Sequence, residues 1–128
     1  MFIPPYWIMV KSGEEQAFLN KTMRELMGDD FEGYAVDFVG YQSLGTHTYG
    51  QCAFPARTRC AVSLGAKYPW DKRPLFRAAV LYHEACHAKL YLEDGKVNGH
   101  DEEFKKLRRQ KPLYWIADMI MKFVWSGI

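Results

Sequence analysis

The chain has 128 residues, of which 48% are hydrophobic and 16% aromatic, with a formal net charge of +2. That composition excludes a disordered or low-complexity polypeptide, and a chain of this length can bury roughly two thirds of its unfolded surface, so one domain over 1–128 is expected without disulfide staples. The charge is uneven, with 3 basic and 7 acidic side chains in residues 1–54 and 14 and 8 in residues 55–128, which puts basic surface in the C-terminal half.

The apolar start Met1–Trp7 lacks the basic segment and cleavage site of a secretory leader. No run approaches the roughly 18 apolar residues of a membrane span. Cys52, Cys60 and Cys86 are odd in number and form no C-x-x-C pair, which excludes a disulfide framework and a zinc ribbon and suits a reducing compartment. The expectation is a cytoplasmic protein with no membrane association.

Ser12 and Glu15 have capping-box spacing, and Leu19, Met23 and Leu26 share a stripe that ends at Gly28, so a first helix is predicted over 13–27. Tyr34, Val36 and Phe38 alternate in a predicted strand over 34–42. Residues 46–54 and 57–64 read as two more strands, the second with Thr58, Cys60, Val62 and Leu64 on one face, giving a small three-stranded sheet. Residues 67–74 connect, with Asp71 as a cap and Pro74 in a first helical turn. A long helix follows over 75–92, with Phe76, Val80, His83 and His87 along one side, and stops near Gly95. Acids Asp101–Glu103 and bases Lys105–Arg109 match the dipole of another helix. Beyond Pro112, Ile116, Met119, Ile120, Phe123 and Val124 have helical spacing in 113–125, and packing of this segment against the core is favoured over lying on a membrane. Tyr6 and Trp7 are candidates to close over the same core. These elements make an α+β fold.

Within the long helix stands His83-Glu84-Ala85-Cys86-His87. Composition alone would generate H-E-x-x-H roughly 0.008 times in such a chain. Histidines four apart lie about 40° apart around a helix, so both imidazoles project from one face and can hold one zinc ion. Glu84, on the shoulder of that face, can take a proton from a metal-activated water. Cys86 points away and reads as a buried small residue.

Catalytic zinc usually keeps three protein ligands and one open position. His100, Glu102 and Glu103 all follow a loop long enough to return to the motif helix. His100 is the preferred third ligand, because a His has few other reasons to follow Asn98-Gly99. The compact H-E-x-x-H-x-x-G-x-x-H form is absent, since Leu90 occupies the Gly position.

The stretch Leu81–Leu92 followed by Asn98-Gly99-His100-Asp101-Glu102-Glu103-Phe104 resembles the SprT-like zinc metalloprotease domain, whose pattern is H-E-x-x-H-A, a short loop, then G-H-G-x-x-F. The family includes the Spartan protease, which cleaves proteins crosslinked to DNA. The resemblance covers about residues 35–110. It implies a compact zincin-like domain with zinc on His83, His87 and His100 and Glu84 as catalytic base. Asp101 stands where the family has Gly, and is read as a helix cap rather than a support for a ligand imidazole. The zinc ribbon that often follows this domain is replaced by the apolar segment 113–125, so DNA dependence does not transfer with the resemblance.

His47 and the set Lys105, Lys106, Arg108, Arg109 and Lys111 have simpler readings: an ordinary strand or turn histidine, and a solvated helix face. The function expected is a zinc-dependent metallopeptidase acting on protein substrates, DNA-associated proteins among them. The alternative from another class is a zinc-containing interaction protein without proteolytic activity. A zinc hydrolase of a non-peptide amide ranks third.

Overall fold

The structure, a computed structural model, describes residues 4–97 and 99–128, with side chains described from residue 13 onward. The element order is α1 (Pro4–Met27), a 3-10 turn (Gly28–Phe31), β1 (Ala35–Gln42), β2 (Gly50–Ala56), β3 (Arg59–Gly65), a 3-10 turn (Trp70–Lys72), α2 (Pro74–Asp94), α3 (Glu102–Arg108) and α4 (Pro112–Val124). The fold is α+β, as expected. Helix α1 begins at Pro4, so the helix runs through Ser12 rather than starting there. Tyr6 and Trp7 lie outside the described side chains.

The sheet order is β1-β3-β2, with β1 parallel and β2 antiparallel to β3. Strand β3 is central; of the four residues expected on one face, Cys60, Val62 and Leu64 are fully buried, whereas Thr58 lies exposed in the turn before the strand, which starts at Arg59. On β1 the alternation holds through Val36 and Phe38. It breaks where the register slips before Gly40, whose φ of 111° favours glycine. Strand β2 starts at Gly50, four residues later than expected, because Thr46 and His47 form a turn.

Helix α2 lies at the centre. It packs on α1, the sheet, α3 and α4, and twelve of its residues, from Phe76 to Leu92, are buried. A helix enclosed on most sides needs apolar side chains nearly all round, which Ala79, Val80, Leu81, Ala85, Ala88 and Leu92 provide. Its N-cap is Arg73, without a side-chain cap; Asp71, expected in that role, lies in the preceding 3-10 turn. At the other end Gly95, at φ 72°, donates its N–H to the Tyr91 carbonyl, and Lys96 donates to Leu90. Arg57, in the β2–β3 turn, donates to the carbonyls of Tyr91 and Leu92 at 3.0 Å each, tying the hairpin to this terminus.

Helix α4 does pack against α2, but rotated from the sequence expectation. Ala117, Asp118, Met121 and the adjoining Trp125 face inward, whereas Ile116, Met119, Ile120, Phe123 and Val124 are exposed. Both faces are apolar, so periodicity alone does not choose between them. Trp125 makes the choice: it stacks on Tyr68 at 5.5 Å and meets the edges of Trp70 and Phe76 at 5.0 and 5.1 Å. Such pairs add to the burial of large aromatic area. Trp125→Ala is expected to cost about 3–5 kcal/mol, and Phe123→Ala, at an 83% exposed position, less than about 0.5 kcal/mol. Urea denaturation of the two variants checks this rotation of α4.

Candidate metal centre

The i, i+4 spacing on α2 places His83 and His87 side by side, with ring centroids 5.1 Å apart. The chain then leaves α2 at Gly95 and returns to start α3. His100 comes back at 4.9 Å from His83 and 5.3 Å from His87. One nitrogen from each of the three lies within 4.8 Å of the others, close enough to hold a metal ion. Glu102 and Glu103 do not join them: Glu102 is within 3.8 Å of Lys105, and Glu103 pairs with Lys96.

Asp101 holds this return in place by capping α3, accepting the Phe104 N–H at 2.9 Å. The cap reading of Asp101 is therefore borne out. Phe104 is fully buried and serves as the floor of the cluster. Its ring stacks on His87 at 4.3 Å and on His100 at 4.7 Å, and meets His83 at 65°. The flat apolar surface limits how the imidazoles can turn.

Glu84 is 6% exposed and lines the same cleft, of about 410 Å³. Space for it depends on Gly50. A Cβ there would come within 2.6 Å of Val80 Cγ1 and 3.0 Å of Glu84 Oε2, so β2 can pass α2 this closely only with glycine at the crossing. Cys86 is fully buried, as expected. His47 is exposed in its turn and lines the cleft mouth.

Burial, then His87 and His100, hold the His83 pKa down to about 2. Burial and His100 hold His87 down to about 4, and His100 is lowered by burial, Lys122 and Arg108. The imidazoles are thus poised to be neutral near pH 7, the form that offers a lone pair to a metal. Burial and then the neighbouring Asp118 push Glu84 up to about 8. The donor set fits a metal ion: three convergent imidazoles, each with a nitrogen within 4.8 Å of the others.

Sequence reasoning missed Gly50, Asp118 and Lys122, which all line the cleft. Asp118 left a signal: it is the one carboxylate on the buried side of α4, between Ala117 and Met121. The basic set is largely engaged within the chain. Lys111 pairs with Glu25 at 3.4 Å, Arg108 lies 3.9 Å from Asp118, and Arg109 lies over the Trp115 ring.

A helix-borne pair of histidines, a third from a returning loop and a buried carboxylate beside them form a candidate metal site in a domain of α+β architecture. The SprT-like family pattern matches residues 16–112, and the chain belongs to that family. No curated protein and no solved structure matches it significantly. Among the described residues no helix is long and apolar enough to cross a membrane.

A raised Glu84 pKa favours the metal-free fold below its ordinary value of 4.5, and that contribution is lost as pH rises through about 8. Glu84→Gln cannot ionise. The metal-free variant should match the wild type in stability near pH 4.5 and exceed it by on the order of 5 kcal/mol above pH 8. Thermal melts in chelator across this range provide the check.

Proposed function

We propose that residues 1–128 form one zinc metallopeptidase domain that hydrolyses peptide bonds in protein substrates, DNA-associated proteins among them, in the reducing environment of the cytoplasm. The observation that carries this reading is the convergence of His83, His87 and His100 beside the buried Glu84. Family membership supports it. The three free cysteines suit the compartment.

His83, His87 and His100 would hold the zinc. When bound, zinc polarises a scissile carbonyl and acidifies water at its open position. Glu84 takes the proton of the attacking water on its carboxylate and passes it to the nitrogen of the departing amine. Burial and the neighbouring Asp118 favour a protonated Glu84; positive charge close by favours its ionised form, which is the competent base. Gly50 leaves the Glu84 carboxyl the room it needs to face the cleft. Phe104 closes the back of the site and keeps the imidazoles from rotating out of convergence.

Glu84→Gln should retain about one zinc per chain and lose at least about 100-fold in proteolysis of an unfolded protein substrate. His100→Ala should lose both zinc and activity. Zinc quantification alongside a cleavage assay, with and without DNA, tests the proposal. Zinc retained with no cleavage of any substrate by the wild type would instead support an interaction protein that keeps zinc as a structural element. No zinc uptake would overturn the metal reading itself.

A further inference from the structure

Asp118 is 3% exposed, on the α4 face turned toward α2. It lies beyond the stretch matched to the SprT-like family, 16–112. Its Oδ2 has no hydrogen-bond partner, and neither has the buried Nδ1 of His83. These two atoms, neither of them hydrogen-bonded, lie 3.8 Å apart. A buried acceptor or donor left unpaired costs about 1–3 kcal/mol, and a closure of about 1 Å would give both a normal hydrogen bond.

We propose that Asp118 is a positioning residue for the metal centre, accepting a hydrogen bond from His83 Nδ1–H; this rests on the reading of the three histidines as metal ligands. An imidazole that donates from Nδ1 keeps its lone pair on Nε2. The bond therefore fixes the tautomer and the ring orientation, and raises the basicity of the nitrogen left for the metal. Asp118 has a second effect of the same sign. Lys122 Nζ lies 3.4 Å and Arg108 Nη1 3.9 Å from its Oδ2. Lys122 lines the same cleft as the three histidines, and positive charge this close opposes a bound cation. The Asp118 carboxylate offsets it.

Zinc affinity, measured by competition with a chromophoric chelator, tests this on the full chain with Asp118→Ala, Asp118→Asn and Lys122→Met. Metal-free melting temperatures are measured beside it. Asp118→Ala should bind zinc about 10–100-fold more weakly while its metal-free melting temperature holds or rises. Asp118→Asn, which keeps an acceptor oxygen but no charge, should lose less, and Lys122→Met should bind more tightly than the wild type. A purely structural Asp118 would give a lower metal-free melting temperature with unchanged zinc affinity in both Asp118 variants, and that result overturns the role. A wild type that takes up no zinc overturns the metal reading and this role together; a wild type that binds tightly, with both variants equal to it, overturns this role alone.

Discussion

The burial of helix α2 is the constraint on which the rest of the structure depends. The helix carries the polar motif His83-Glu84-Ala85-Cys86-His87, yet it is enclosed by α1, the sheet, α3 and α4. Polar groups taken out of water need partners or must give up their charge. The motif side chains meet that demand by converging on one cleft. Neutral imidazoles and a protonated Glu84 are what burial selects when no cation is present. A site dry enough to shift these groups is also one in which a bound dication would interact strongly with them. The packing that holds α2 in place therefore also tunes the chemistry it carries.

Three local devices complete the site, one from β2 and two from α3 and its cap. Gly50 lets β2 cross α2 beside Glu84. Asp101 caps α3 and so fixes the return of the chain that carries His100. Phe104, on the same short helix, supplies the ring on which His87 and His100 stack. Helix α4 adds charge from the opposite side, through Asp118 and Lys122. It is seated by the Trp125 cluster at its C-terminal end. The anchoring of α4 by aromatic packing thus decides which polar residues face the imidazoles.

Much of this was legible in the sequence. The helices, the three strands and the inward face of β3 follow from periodicity, because each buries one side against a neighbour. His83, His87 and His100 were readable because i, i+4 spacing and a loop of limited length leave few other ways to use three histidines. Two misreadings have physical causes. Ser12-Gly13-Glu14-Glu15 has the form of a helix start, but a backbone already helical from Pro4 passes through it. Segment 113–125 packs on the core as expected, but not through the regularly spaced set Ile116–Val124, because α4 has two apolar faces and the one continuing to Trp125 buries the larger aromatic area. Gly50 and Asp118 could not be placed from sequence, since their roles depend on which elements cross. Only the polar interruption of the inner face of α4 at Asp118 hinted at its position.

Two histidines of α2 and one from the loop leading into α3 converge on one site for a metal ion. X-ray absorption at the zinc edge of the reconstituted protein tests it most directly. Three imidazole nitrogens at about 2.0–2.1 Å with one light-atom ligand are predicted, falling to two imidazoles in any zinc retained by His100→Ala. A first shell containing sulfur, or one unchanged by the loss of His100, would contradict it.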